Sequence, residues 1–201
     1  MAEPLAFLEM DDRQAWPPQG QWTYEDYLRL PEDGRRYEVI RGHLYVTAAP
    51  SFDHQFAVTQ LGRRFGNFVS DHDLGVVLVA PFDIRLPREI ASPVQPDLVF
   101  FKTGNEPRSG DKSFEGVPDL VVEVLSPGTQ HLDKRVKLAA YRDAGVAETW
   151  LVDPQLRTLL VYGLTDRIYV ELDRSGVSGS VKSRLLAGLR VATDDIFPRQ
   201  R

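Results

Sequence analysis

The chain has no cysteine. Disulfides and thiolate metal sites are therefore excluded, and nothing favours a small secreted scaffold. The N-terminus lacks a basic region followed by an apolar run, the pattern of a signal peptide. No apolar run comes near the length that crosses a bilayer. These absences make a cytoplasmic protein, not associated with membranes, the expectation. No G-x-G-x-x-G follows a strand-like run and there is no Walker loop, so a doubly wound nucleotide-binding fold is not expected. Low-complexity tracts and domain-sized repeats are also missing.

A surplus of positive charge is lacking too. The 201 residues carry a net charge of -5. Most of it belongs to the first 37 residues, which hold eight acids and four bases; the remainder is one charge from neutral. Proteins that bind duplex DNA mainly by neutralising phosphates show a basic footprint, and here it is absent from the bulk composition. A nuclease is still compatible, because carboxylates at a metal site count against the total. The length suits one domain with a proper core.

Residues 1–21 carry Pro17, Pro18 and Gly20 without a clear period and read as a flexible N-terminal arm, leaving 22–201 as a single domain. "TYEDYLRLP" reads as a short helix capped by Thr23. "YEVIRGHLYV" reads as a hairpin turning at Arg41-Gly42. In "SFDHQFAVTQLGRRFGNFV", the spacing of Ala57, Leu61, Phe65 and Phe68 predicts a helix with one buried face, capped by Ser51 or Asp53. Four β-type runs follow: "GVVLVA", "FDIRLP", "PDLVFF" and "PDLVVEVL". The polar segment between the last two reads as a long loop that shapes a substrate cleft, with Lys102, Arg108 and Lys112 for backbone contact. "HLDKRVKLAAYRDAG" is the second clear helix, ending at Gly145. Further strands and a short helical turn complete the chain. This order predicts an α/β fold of the α+β type, a mixed central β-sheet flanked by helices.

Two of the β runs open on the same tetrapeptide, Pro-Asp-Leu-Val. The second contains Glu123 between Val122 and Val124. Alternation puts Asp119, Val121, Glu123 and Leu125 on one face. A glutamate inside a central strand is costly unless paired or bound to metal. The alternatives are a wet sheet face or an arginine partner. Asp97 and Asp119 each stand at a strand entry, where turn aspartates are common. Should their strands be neighbours, Asp97 and Glu123 converge on one cation, and oxygen donors suit Mg²⁺ or Mn²⁺. Glu38, in the hairpin, is a candidate third acid. Asp133, Lys137 and Tyr141 recur every fourth residue and share a helix face. That lysine either reaches back over the Glu123 strand to stabilise phosphate charge or pairs with Asp133 on a solvated helix. His54, near the start of its helix, is a cap-region hydrogen bonder, a ligand or a base.

The stretches "YEVIRGHLYV" with "SFDHQ", "VQPDLVFF", "GVPDLVVEVLSPGTQHLDKRVKLAAYRDAGVAETWLVDP" and "GLRVATDDIF" resemble, in order and spacing, the Uma2 (DUF820) family. That resemblance implies a restriction endonuclease-like core of the PD-(D/E)xK nuclease superfamily. Within it Asp97 resembles the "PD" aspartate, Glu123 the first acid of "(D/E)xK", and Glu38 the early glutamate that completes the site. The lysine due two residues after Glu123 is replaced by Leu125; the stretch containing Asp133, Lys137 and Tyr141 resembles the place to which the family's lysine has moved. Asp119 then takes a supporting or strand-capping part, and His54 matches a recurrent histidine. The resemblance implies a Mg²⁺- or Mn²⁺-dependent endonuclease hydrolysing phosphodiesters, with DNA as partner. It also implies a homodimer, for which "RIYVELD" or the tail is the candidate contact. Fold does not fix function. A non-catalytic member binding nucleic acid or protein is the chief alternative, and a hydrolase of phosphorylated small molecules a weaker one.

Overall fold

Thr23 opens the first helix by a reciprocal cap. Its hydroxyl accepts from the Asp26 N–H, and the Asp26 carboxylate accepts from the Thr23 N–H at 3.1 Å. The helix, α1, is short (Tyr24–Tyr27). Strands β1 (Arg36–Ile40) and β2 (His43–Thr47) follow as a hairpin. It turns through Arg41 and Gly42, both left-handed with φ of 52 and 71. Helix α2 (Phe52–Asp71) starts at Ser51, whose hydroxyl accepts from the His54 N–H. It buries Ala57, Leu61 and Phe65, the face its spacing predicts. The computed structural model describes residues 16–47, 49–128 and 132–198.

Next come β3 (Gly75–Val79), β4 (Asp83–Leu86), β5 (Ala91–Val94), β6 (Leu98–Lys102), β7 (Ser113–Glu115) and β8 (Leu120–Val124). A π-helical turn (Leu132–Lys137) runs into α3 (Leu138–Ala144), closed by Gly145 at φ 101. Then follow β9 (Glu148–Asp153), β10 (Thr158–Thr165), β11 (Ile168–Ser175), β12 (Ser180–Lys182), β13 (Arg190–Ala192) and α4 (Thr193–Ile196). Strand β5 escapes sequence reading because it contains Pro93, which removes a ladder donor. The fold accommodates it at a register shift between the Ile84–Val94 and Leu86–Ala91 pairs.

Six strands form one sheet in the order β11-β10-β9-β8-β6-β3. Within this sheet, among the described residues, only β8 and β9 pair in parallel, joined by the crossover through the π turn and α3. Helix α2 covers one face, over Leu98, Phe100, Leu120, Val122, Val124 and Trp150. The other face presents Val99, Phe101 and Val121 to α3 and to a second sheet, ordered β2-β1-β5-β4-β7. The architecture is the expected α/β one, a mixed central sheet flanked by helices, with the five-stranded sheet as an addition. Among the described residues no helix is long and apolar enough to cross a membrane.

Two expectations need closer placement. Residues 1–15 of the expected arm lie outside the described residues. Residues 16–21 are fastened to the hairpin: Gln19 accepts from the Leu44 N–H at 2.8 Å, donates to the Leu44 carbonyl at 3.1 Å, and Trp16 stacks on Trp22. The polar segment after β6 is not a cleft wall. It contains β7, which pairs with β4. Antiparallel β6 and β8 leave it at the end of the sheet away from Asp97 and Glu123. There Asp119 accepts from the Lys102 N–H at 2.9 Å and from the Asn105 amide at 2.8 Å. Asp119 is thus a strand-capping residue, remote from the other carboxylates.

Candidate active site

Register brings the carboxylates together. Leu98 pairs with Val122, which sets Asp97 opposite Glu123 at the same end of two neighbouring interior strands. The Val124 N–H donates to Asp97 Oδ2 at 2.8 Å and fixes that alignment. From the second sheet, β1 contributes Arg36 and Glu38, two residues apart and so on one face. The backbone N–H of Gln95 donates to Glu38 Oε1 at 2.7 Å. The π turn adds Asp133 and Lys137. All six side chains line one cavity of about 80 Å³, with Thr47, Ala49, Pro50, His54 and Ser126 around it.

Lys137 is almost completely buried, at 2% exposure. Its Nζ lies 2.9 Å from Glu123 Oε1, 3.0 Å from Glu38 Oε1 and 3.7 Å from Asp133 Oδ1. A lysine is seldom so enclosed without such partners. The Tyr141 hydroxyl donates to the same Glu123 Oε1 at 2.5 Å. The solvated-helix alternative for Lys137 is therefore not the arrangement seen. Asp97 has both oxygens engaged: Oδ1 by the Arg36 guanidinium at 2.9 and 3.0 Å, Oδ2 by Val124 N–H and by His54 Nε2 at 3.2 Å. Among the described residues the buried His54 Nδ1 finds no hydrogen-bond partner.

The electrostatics are uneven. Burial works to raise the Asp97 carboxyl, but the His54 hydrogen bond and the Arg36 charge win and hold it well below the usual carboxylate range. Glu123 goes the other way. Burial, with Asp97, Asp133 and Glu38 nearby, outweighs Lys137 and pushes it up to about 8. Burial opposes the charge on Lys137, yet Glu123, Glu38 and Asp133 keep its pKa above the ordinary lysine value. Burial and Glu123 together raise the Tyr141 hydroxyl well above its usual range.

Four carboxylates thus face two permanent cations, Arg36 and Lys137, inside one cavity. Two cations do not balance four acids, and that imbalance adds to burial, the larger cause, in pushing Glu123 up. An all-oxygen donor set with excess negative charge fits a hard divalent cation. Among the described residues no three of these groups stand as a ready-made metal cluster; Lys137 engages Glu38 Oε1 and Glu123 Oε1, and Arg36 engages Asp97 Oδ1.

Sequence reading missed Arg36 and Gln95. Arg36 had a signal, since it stands two residues before Glu38 on an alternating strand. Gln95 had little: it works through its backbone N–H to Glu38, and through a carbonyl and a side-chain oxygen that accept from Arg36 at 2.6 and 3.3 Å.

The model of the Uma2 family, described as "Putative restriction endonuclease", matches residues 24–194. Among solved structures the chain is similar to one described as "a putative nuclease belonging to DUF820" from Anabaena variabilis, at 19% identity and a TM-score of 0.73. The match covers 88% of this chain and 97% of that one. No curated protein matches. The chain belongs to the Uma2 (DUF820) family, of the restriction endonuclease-like PD-(D/E)xK superfamily.

Proposed function

We propose that the protein is a divalent-metal-dependent endonuclease that hydrolyses phosphodiesters, with DNA as substrate. The observation that carries this reading is the convergence of Glu38, Asp97, Glu123 and Lys137 from four separate elements onto one cavity. Glu38, Asp97 and Glu123 would hold Mg²⁺ or Mn²⁺. When bound, such an ion polarises the scissile phosphate and lowers the pKa of a water molecule. Lys137 supplies a fixed positive charge for the phosphate oxygens as charge develops on them. Tyr141 holds Glu123 by its hydroxyl, and Arg36 with the Val124 N–H sets the plane of the Asp97 carboxylate. The cavity has room for a few water molecules and not for an enclosed nucleotide. That supports a phosphodiester presented at its mouth over a swallowed small substrate.

The test is Mg²⁺-dependent cleavage of duplex and single-stranded DNA by the wild type, D97N, E123Q and K137M. A loss of about 100-fold or more is expected in each variant. Wild-type cleavage unchanged in K137M would remove the lysine from the mechanism.

A second reading is supported by the closure of the site on itself. Lys137 bridges two acids and Asp97 is fully hydrogen-bonded, as in a non-catalytic member that binds nucleic acid or protein. Under it, no cleavage is detected and Mn²⁺ leaves the melting temperature of wild type and D97N alike.

A further inference from the structure

Away from the carboxylate cavity, four arginines border an open basin of about 310 Å³: Arg41, Arg88, Arg142 and Arg167. Ile90 forms part of its lining, and Asp143 is its one carboxylate. Glu89 and Asp166, in the same turns, do not line it. In a chain with a net charge of -5 this is a local reversal of sign.

The arginines come from separate elements. Arg41 tips the β1–β2 hairpin, Arg88 the β4–β5 turn and Arg167 the β10–β11 hairpin, and Arg142 lies in the last turn of α3. The three turn arginines have φ of 52, 58 and 63. Such left-handed positions favour glycine, asparagine or aspartate, and an arginine is strained there. Arg157, in the β9–β10 turn, shares this conformation at φ 51 and does not line the basin, so it is the convergence of the side chains, not their backbone, that marks the site.

Asp143 organises the group without neutralising it. Its carboxylate accepts from Arg41 and, at 2.8 Å, from Arg142 Nε, and its carbonyl accepts from Arg88 Nη2 at 2.6 Å. The C-terminal end of a helix, where carbonyls face outward, is a favourable place for cations. Planar guanidinium groups in this number suit the oxygens of a phosphate. Lys137 and Asp143 are six residues apart on one helical run, about 9 Å at 1.5 Å per residue.

We propose that this basin is a phosphate-binding site that grips the sugar–phosphate backbone of nucleic acid outside the cleavage cavity. The choice of occupant rests on the nuclease reading; the phosphate chemistry rests on the arginines alone.

The experiment uses the full chain without divalent metal and a short labelled duplex, with anisotropy followed between about 50 and 200 mM salt. Arg88→Asn and Arg167→Asn are combined, because asparagine tolerates the left-handed backbone; melting at the wild-type temperature or above shows the fold intact. The expected result is a salt slope shallower by about 1.8, at about 0.9 per contact, with binding weakened roughly tenfold near 100 mM. The double lysine variant at the same positions is expected to keep the wild-type slope. Equal affinity and slope in the asparagine variant would overturn the proposal, as would no duplex binding by the wild type. Cleavage with Mg²⁺ is scored in parallel. Wild-type cleavage with arginine-independent binding removes the basin and leaves the nuclease reading. Arginine-dependent binding without cleavage leaves the basin and removes catalysis. If inorganic phosphate stabilises wild type but not the asparagine variant, while duplex binding ignores the arginines, a free phosphate compound is the ligand and the backbone assignment falls.

Discussion

Lys137 Nζ stands 2.9 Å from Glu123 Oε1, both side chains all but excluded from solvent. The first prediction follows from that pair. Removing one member of a buried ion pair strands the other, at a cost of about 3–5 kcal/mol, while replacing both by neutral groups can cost little. Above about pH 8, where Glu123 is ionised, K137M is expected to be strongly destabilised, with Glu38, Glu123 and Asp133 left facing one another, and the loss should be smaller below that pH, where Glu123 holds its proton. E123Q/K137M should recover a large part of the loss. Denaturant unfolding of the two singles and the double gives the coupling. Additive effects would show that the contact carries no energy.

Metal-free stability should depend on pH through Glu123. Its folded-state pKa, pushed up to about 8, lies above the ordinary glutamate value of 4.5. Between those values the native state binds more protons than the unfolded chain, so stability falls as pH rises through this window and levels off beyond it. E123Q removes the group and should flatten that slope. Melting temperatures of both proteins across the window, with chelator present, decide it; parallel profiles would mean that Glu123 ionises normally.

Asp97 works in the opposite direction. Its carboxyl is held below the usual range, chiefly against burial, by His54 and Arg36. Its stabilisation is complete above the unfolded value of 3.8 and is lost as pH falls from there toward the folded one. D97N should therefore weaken the protein at neutral pH by about 2–4 kcal/mol, since Arg36 then faces a neutral group and the Val124 N–H keeps only an amide oxygen. The deficit should shrink in acid. A constant deficit at every pH would assign Asp97 a packing role only.

These residues also show which parts of the site the sequence made legible. Glu123 could be seen because alternation is strict in a strand, and a charge inside an apolar run has nowhere cheap to go. Asp97 could be suspected only from its repeated tetrapeptide; the register that sets it opposite Glu123 is a property of strand pairing. Lys137 was visible as a helix-face residue, but the π turn that carries it was not, because propensity does not distinguish that turn from an α-helix. Strand β5 was hidden by Pro93, whose missing donor is offset by an irregular register. The arginine basin was the least legible feature. Its members come from four elements, each with an ordinary surface reading, and only tertiary structure gathers them.

Divalent metal supplies the last prediction. The cavity holds more carboxylate than Arg36 and Lys137 can balance, so a hard cation that binds the folded state should raise its stability. Mn²⁺ or Mg²⁺ at about 100 times its Kd would add about 2.7 kcal/mol, through binding the native state alone. The gain should increase with pH between about 4.5 and 8, because a protonated Glu123 must lose its proton to become a ligand. It should vanish in D97N/E123Q, and it should shrink little in D119N, because Asp119 caps a strand at the far end of the sheet. Thermal melts against metal concentration, at two pH values, test all three variables together. A metal-induced rise that survives in D97N/E123Q would place the cation elsewhere on the chain and detach Glu38, Asp97 and Glu123 from the chemistry assigned to them.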